Sequence, residues 1–98
     1  MDTEMRDELQ AAWEEYCKLR AEGYKLFAEA DKYFADGLYA KGYKINAEGG
    51  NLCDKGRALW NKKIFDICGN MVAYDKYDNA ELSYHDGGCY VLGEFFRH

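Results

Sequence analysis

A seven-residue repeat that runs from about Asp7 to Ile67 constrains the fold of this chain more than any other feature. Divided into sevens, the stretch reads DELQAAW, EEYCKLR, AEGYKLF and AEADKYF, then a short ADGLY, then AKGYKIN, AEGGNLC, DKGRALW and NKKIFDI. The third position is usually Gly or another small residue, and the sixth is usually Leu, Ile or Tyr. The chain contains no proline, a residue that breaks helix interiors. The pattern therefore predicts long helices with a heptad seam.

Seam positions in the first half of the repeat alternate at spacings of three and four residues. They are Leu9, Ala12, Tyr16, Leu19, Gly23, Leu26, Ala30, Tyr33 and Gly37. Small residues along a seam allow two helices to approach closely, and each Gly otherwise weakens a helix by about 1 kcal/mol relative to Ala. We therefore predict a homo-oligomer, with a dimer as first choice. Its self-association seam consists of Leu19, Gly23, Leu26, Ala30 and Tyr33.

The repeat loses two residues at Ala35–Tyr39, which predicts a change in chain direction. From Gly37 to Gly42 a straight helix turns about 140°, whereas a seven-residue step drifts by only about 20°. Either the chain reverses near 36–42, or one long helix uses two faces, and Gly49-Gly50-Asn51 is a competing hinge. Residues 1–36 carry ten acids and five bases (net −5), and residues 37–68 carry three acids and six bases (net +3). Opposite charge and matched length favour a hairpin of antiparallel helices.

After residue 68 the pattern changes to the alternation of short strands. Gly69-Asn70 is typical of a helix end, and Met71–Tyr77, Ala80–His85 and Cys89–Phe96 read as strands. We therefore predict a mostly α protein of α+β class: a long heptad-patterned helical hairpin followed by a small antiparallel β meander. Residues 1–68 form the helical region, with its break near 36–42, and residues 69–98 form the meander packed on the helices. Thr3 is the predicted N-cap of the first helix.

Composition and motifs exclude several classes of function. A net charge of −5 argues against direct nucleic-acid binding, which depends on neutralising phosphates. No apolar run approaches membrane-spanning length, and the acidic start M-D-T-E has no secretory signal character, so we expect a cytoplasmic protein without membrane association. No nucleotide-binding loop, metal-protease or nucleophile motif is present, so we expect neither an enzyme nor a cofactor.

A metal site was considered at the cysteines and histidines. His85 and Cys89 are four residues apart, and Cys68 and His98 could join them. Their spacing matches no common zinc pattern, and we expect no metal.

Two sets of residues are candidates for partner binding. An acidic line along the first helix recurs at nearly seven-residue intervals and consists of Glu14, Glu15, Glu22, Glu29 and Asp36. It is interpreted as a solvated face, as an imitation of a phosphate track, or as the partner of Lys41, Lys44, Lys55 and Lys62 across the hairpin. The tail aromatics are Tyr74, Tyr84, Tyr90 and Phe96, of which strand alternation places about half in the core. Tyr and Lys side chains of the tail and second helix could also line a pocket for an anionic ligand.

The chain resembles small bacteriophage proteins of unassigned function with tandem K-L-x-A-E-G-x-K-L repeats and a short C-terminal β tail. The matching residues are K-L-R-A-E-G-Y-K-L at 18–26, A-E-G at 47–49, G-N at 69–70 and C-Y-V-L-G-E-F at 89–95. The resemblance implies a phage origin, and hence the cytoplasm of a bacterial host, but no specific activity.

The functional expectation follows from these features together. We expect a non-enzymatic interaction protein that binds and inhibits a bacterial host protein, such as a defence or nucleic-acid-handling factor. The alternatives are a protein that sequesters a nucleotide signal and a structural coiled-coil component of a virion.

Overall fold

The computed structural model describes residues 2–68 and 82–97 as two long antiparallel helices and a small sheet. Helix α1 spans Thr3–Ala35 and helix α2 spans Tyr39–Cys68. Strands β1 (Leu82–His85), β2 (Gly88–Val91) and β3 (Glu94–Arg97) form an antiparallel sheet in the order β1-β2-β3. The predicted class, a helical hairpin followed by a three-stranded antiparallel sheet, is confirmed.

Helix α1 begins one residue earlier than predicted. Asp2 is the N-cap, with extended backbone geometry, and its Oδ1 accepts a hydrogen bond from the Met5 backbone N–H at 2.8 Å. Thr3 is the first helical residue rather than the cap. A carboxylate satisfies the same backbone donor as a hydroxyl and adds a favourable interaction with the positive end of the helix dipole.

The chain reverses at Asp36-Gly37-Leu38, within the predicted break near 36–42. Gly37 has φ +78°, its N–H donates to the Phe34 carbonyl at 3.1 Å, and the Leu38 N–H donates to the Tyr33 carbonyl at 2.9 Å. This pair of bonds is a Schellman motif, which terminates helices at a left-handed Gly. The competing hinge at 49–51 lies inside α2, where the helix is continuous. Two residues are missing from the repeat because this turn is short.

Glycines bring the two helices into backbone contact. A Cβ placed on Gly23 would lie 2.7 Å from the Gly49 carbonyl oxygen and 2.6 Å from Cys53 Sγ. A Cβ on Gly49 would lie 2.8 Å from the Gly23 carbonyl oxygen and 2.8 Å from the Phe27 ring. All four distances are below 3.0 Å, which is closer than a Cβ atom approaches other heavy atoms. Only Gly therefore allows the helices to lie this close together.

The seam that the sequence assigned to self-association faces α2 of the same chain. Leu19, Gly23 and Ala30 are buried, and Leu26 and Tyr33 are half-buried. The small seam residues are therefore explained by the hairpin itself. A homo-oligomer stays a prediction that would need another surface.

The strand boundaries differ from the prediction. The segment 89–96, predicted as one strand, is divided between β2 and β3 by a turn at Leu92-Gly93, where both residues have positive φ (50° and 86°). Asp86-Gly87 forms the other turn, also with positive φ at both positions (57° and 76°), as two-residue hairpin turns require. The predicted strand at 71–77 lies outside the described residues. Leu is uncommon at positive φ, which is why its turn was missed.

The hydrophobic core lies where the open end of the hairpin meets the sheet. It consists of Leu9, Trp13, Tyr16, Trp60, Ile64, Cys89, Val91 and Phe96. Trp13 Nε1 donates to the Arg97 carbonyl at 2.9 Å, and Trp60 Nε1 donates to the Tyr84 hydroxyl at 3.0 Å. These indole bonds attach both outer strands to the helices, because Tyr84 lies on β1 and Arg97 on β3.

An ion pair at the rim adds to this attachment. Arg6 Nε lies 3.3 Å from Glu94 Oε2, and the Arg6 guanidinium lies 5.4 Å from the centre of the Phe96 ring. Both side chains of the pair are partly exposed, so the pair orients the sheet more than it stabilises it.

Adjacent glycines of α2 provide a matched test of the close helix contact. We expect Gly49→Ala to lower the free energy of unfolding by about 1–3 kcal/mol, because its methyl group would collide with the Gly23 carbonyl. Nothing lies within 4 Å of a Cβ on Gly50, so Gly50→Ala should raise it by about 0.5–1 kcal/mol through helix propensity. Urea unfolding of both variants measures this. Shifts in the same direction would contradict the packing.

The core thiol of Cys89 is expected to be inert in the folded protein. Burial, and then the neighbouring Cys17, raise the pKa of Cys89 from 9.0 to about 12, while a hydrogen bond with Tyr84 acts in the opposite direction. The thiolate is the reactive form, so iodoacetamide at about pH 8 should leave Cys89 unmodified until urea is added. Mass spectrometry of the peptides provides the measurement, and equal labelling rates in the folded and unfolded chain would refute it.

The same shift predicts the direction of a pH effect on stability. The folded-state pKa lies above the ordinary value of 9.0, so the folded protein holds this proton more tightly than the unfolded chain. The contribution is complete below pH 9 and is lost as the pH rises towards about 12. Comparing Cys89→Ala with the parent chain across that interval isolates this thiol from other groups.

Candidate functional site

The acidic line lies on one flank of α1, away from the helix interface. Glu14, Glu15, Glu29 and Asp36 are exposed, and Glu22 is half-buried. Glu14 points about 100° away from Glu15 around the helix, and its Oε1 accepts a hydrogen bond from Gln10 Nε2 at 3.1 Å. The structure therefore places four of the five predicted acids in one row and leaves Glu14 beside it.

Lysines interleave with this row and change its electrostatic character. From residue 15 to residue 36 the exposed flank reads Glu15, Lys18, Glu22, Lys25, Glu29, Lys32 and Asp36. Each lysine follows one acid by three residues and precedes the next by four, the spacings at which helix side chains are neighbours. Four acids and three bases leave this charge ladder with a net charge of only −1. An alternating ladder of this kind is typical of a solvated helix face.

The third interpretation of the acidic line, pairing across the hairpin, receives no support from the contacts. Among residues 2–68 and 82–97, the ion pairs shorter than 4 Å are Arg6–Glu94 and Lys62–Asp66, and neither joins the two helices. Lys41 instead places its ammonium 4.6 Å from the centre of the Tyr33 ring. The ladder is therefore an independent surface.

The three described tail aromatics have different environments. Phe96 is fully buried in the core, so its ring is not exposed to a partner. Tyr84 is half-buried, and its hydroxyl accepts the Trp60 bond. Tyr90 is half-buried beside Phe95, with ring centres 4.7 Å apart. Desolvation and the Asp86 carboxylate, to which the Tyr90 hydroxyl donates at 3.3 Å, raise the pKa of Tyr90. Tyr74 lies outside the described residues.

A group of exposed apolar side chains lies at the closed end of the hairpin. Leu38, Tyr39 and Tyr43 are 52%, 59% and 66% exposed. The ring of Phe34 lies between the two tyrosines, with its centre 6.4 Å from Tyr39 and 5.1 Å from Tyr43. We call these four residues, Phe34, Leu38, Tyr39 and Tyr43, the tip cluster.

A glycine places the central ring of the tip cluster. A Cβ on Gly42 would lie 2.5 Å from the Phe34 ring, so the ring lies directly against the backbone of α2. The tip cluster was not predicted from the sequence, because Leu38 and Tyr39 were assigned to the short repeat unit ADGLY. Their position beside the turn could have indicated the cluster, because large apolar residues next to a tight turn lie beyond the end of the helix interface.

A second feature, the junction pocket, lies where the hairpin meets the sheet. It has a volume of about 170 Å³ and is lined by Tyr16, Arg20, Arg57 and Tyr84. The Arg20 guanidinium lies over the rings of Tyr16 and Tyr24, with its carbon 5.3 Å and 5.8 Å from their centres. Burial raises the pKa of nearby Cys17, and the charge of Arg20 opposes this shift. Tyrosines and lysines of the tail and second helix were predicted as a possible lining for an anionic ligand, whereas this pocket is lined by two tyrosines and two arginines.

A larger depression of about 620 Å³ lies along the C-terminal half of α1. It is lined by Lys25, Ala28, Glu29, Lys32, Tyr33 and Asp36. All six belong to one helix, and the charged residues belong to the ladder. The depression is therefore part of the solvated flank rather than a cleft between elements.

The described part of the chain shows neither a cluster of metal ligands nor a membrane-spanning helix. No three His, Cys, Asp or Glu side chains of residues 2–68 and 82–97 converge as a metal site would require. His98 and the side chains of Cys68 and His85, which were considered as ligands, lie outside the described set. Neither helix, as far as it is described, contains a segment apolar and long enough to cross a membrane.

Known proteins add no functional information for this chain, so a functional assignment rests on the surfaces described above. No protein-family model matches the chain, and no match is found among curated proteins or solved structures.

Proposed function

We propose that this protein is a non-enzymatic interaction protein that binds a bacterial host protein through the tip cluster and inhibits it. The observation that carries the proposal is the exposure of Leu38, Tyr39 and Tyr43 around the ring of Phe34. Tyrosine and other aromatic side chains are enriched at the centres of protein interfaces, where a few of them supply most of the binding energy.

The tip cluster is held in a form suited to binding. The two Schellman hydrogen bonds fix the turn, and the Phe34 ring packs against the backbone of Gly42. Tyrosine has only two side-chain torsions, so ordering it on binding costs little entropy. A partner would therefore meet a preformed apolar surface with two hydroxyl groups at its edge, and most of the affinity would come from burying the rings.

The class of partner is proposed from charge and from the resemblance described above. A net charge of −5 favours a partner with a basic surface, as nucleic-acid-handling and many defence proteins have. The resemblance to small bacteriophage proteins supports a bacterial host and its cytoplasm as the place of action. In this proposal the net negative charge of the whole chain attracts the partner over a distance, and the tip cluster makes the close contact.

The test uses two exposed leucines as a matched pair. Leu38 belongs to the tip cluster, whereas Leu59 is 47% exposed on α2 outside the cluster. In affinity capture from a nuclease-treated bacterial lysate, we expect Leu38→Ser and Tyr43→Ala each to weaken retention of a stoichiometric partner by at least about tenfold. Leu59→Ser should retain it. Quantitative mass spectrometry of the bound fraction provides the measurement.

Several outcomes separate this proposal from its alternatives. The circular dichroism spectra of the three variants should match that of the parent chain, since all three side chains are exposed. A partner lost equally from Leu38→Ser and Leu59→Ser would count against the tip cluster. If light scattering instead shows a dimer that Leu38→Ser converts to a monomer, the tip is a surface for a second copy. Loss of the partner only when the glutamates of the ladder are replaced by glutamine would assign binding to the acidic line.

A further inference from the structure

The hairpin has two broad faces, and the sheet occupies one of them. We call this the front face, and the helix residues of the core lie on it: Leu9, Trp13, Tyr16, Trp60 and Ile64. By helix periodicity the Phe34 ring, which lies against Gly42, belongs to the same face. The opposite side, the back face, is where the Lys41 ammonium lies 4.6 Å from the centre of the Tyr33 ring. Among the described residues, neither the sheet nor the tip cluster lies on the back face.

Each helix carries an apolar stripe on the back face. On α1, Leu26 and Tyr33 are seven residues apart and half-buried. On α2, Ile45 and Leu52 are half-buried, and Leu59, a further seven residues on, is 47% exposed. A seven-residue step returns to nearly the same side of a helix, so these five side chains form a continuous strip, the back stripe. Heptad stripes of this kind are normally covered by another helix.

The two rims of the back face differ in charge. On α1, Glu15, Glu22 and Glu29 lie within about 50° of the back stripe around the helix, whereas the lysines of the charge ladder lie about 70–110° from it. This rim is therefore acidic. On α2, Lys41 and Lys55 are exposed and lie within about 60° of the back stripe, and this rim is mainly basic.

Symmetry determines which rims meet when two copies pack back to back. With the twofold axis along the hairpin, α1 of each copy lies over α2 of the other, and residues at the same level face each other. The contact between Gly23 and Gly49 shows which residues of the two helices are level. Counting from it, Glu15 lies within two residues, or about 3 Å of helix rise, of the level of Lys55 in the second copy.

The same alignment brings other opposite charges together. Glu29 lies within two residues of the level of Lys41 in the second copy, and Lys25 lies within one residue of Glu48. Glu22, which lies within two residues of Glu48, is the exception. With the axis across the hairpin, α1 would instead face α1, and two segments that each carry a net charge of −5 would meet. Like charges placed together cost free energy, so the charges favour the axis along the hairpin.

The back face is large enough for a stable interface. Helices of 33 and 30 residues are about 45 Å long, and two side by side are about 20 Å wide, which gives a footprint on the order of 900 Å². An interface of standard size takes about 800 Å² from each partner. Two hairpins packed in this way form a four-helix bundle with the two back stripes at its centre.

We propose that the back face binds a second copy of this chain, with the twofold axis along the hairpin. The back stripes supply the buried apolar surface, and the pairs of Glu15 with Lys55 and of Glu29 with Lys41 set the orientation. The inference does not depend on the proposed function, because the tip cluster and the back face share no residue. In this dimer both tip clusters lie at the same end and face outward.

The experiment is analytical ultracentrifugation of the full chain over a wide range of concentration. We expect a monomer–dimer equilibrium that Leu59→Ser weakens by about tenfold or more, because the dimer contains this leucine twice. Leu38→Ser is the matched control, since Leu38 is 52% exposed and lies in the tip cluster. Its dissociation constant should stay within about twofold of the parent value.

Exchange of one charge pair tests the orientation. We expect Glu15→Lys and Lys55→Glu each to weaken the dimer by about fivefold or more, because each places like charges together twice. The chain with both substitutions has the parent net charge and should recover a dissociation constant within about threefold of the parent value. Glu14→Lys is the control for net charge, since Glu14 is exposed about 110° from the back stripe. It should weaken the dimer less than Glu15→Lys does.

Four results would overturn the proposal. One is a chain that stays monomeric at every concentration. The second is a dimer that Leu38→Ser weakens as much as Leu59→Ser does, which would place the second copy elsewhere. The third is a dimer that the double variant Glu15→Lys/Lys55→Glu does not restore, which would reject this orientation. The fourth is a monomeric chain that loses a captured host protein in Leu59→Ser, which would assign the back face to that protein.

Discussion

The backbone contact between Gly23 and Gly49 is the constraint on which the hairpin depends. With a side chain at either position the helices would have to separate, because a backbone carbonyl oxygen of the other helix would lie within 2.8 Å of the added carbon. At this separation α2 covers the seam of α1, and Leu19 and Ala30 become buried without a second chain. The glycines weaken each helix locally, and close packing offsets that loss. Association with other molecules must then use side chains that the interface leaves outside.

The sheet depends on the hairpin in a different way. Three strands of four residues each would be marginal alone. Trp13 and Trp60, whose rings lie 5.2 Å apart, supply the apolar surface on which Cys89, Val91 and Phe96 pack. Each indole N–H also ends on an outer strand. The same arrangement brings Tyr84 beside Tyr16 and Arg20, so the junction pocket is a direct product of docking the sheet on the helices.

The sequence predicted the helical half of the fold well because that half follows from local rules. The heptad spacing, the missing two residues near Gly37 and the end of α2 at Cys68 all depend on helix periodicity and termination signals. The β2–β3 turn was missed because Leu92 adopts a positive φ that its residue type does not favour. The seam was assigned to a second copy because periodicity identifies a packed face but not which helix covers it. Only the structure resolves that question.

The surroundings of the candidate sites could not be predicted from the sequence for a related reason. The acidic line was found by selecting residues of one charge, and the lysines three and four residues away became relevant only when the flank was considered as a surface. Arg20 and Arg57 are 37 positions apart in sequence and meet only because the hairpin closes. The tip cluster could have been found, since Leu38 and Tyr39 adjoin the turn and must point outward.

The junction pocket and the tip cluster lie far apart along the hairpin. Arg20 precedes the end of α1 at Ala35 by 15 residues, roughly 22 Å of helix, and Leu38 lies in the turn beyond it. Between them the two helices are in close backbone contact at Gly23 and Gly49. Energetic coupling between distant sites requires an element with two arrangements that both ligands bias, and a hairpin closed in this way lacks one. A substitution at the junction pocket should therefore leave the shape of the tip cluster unchanged, since a structural change could pass between them only if the helices parted.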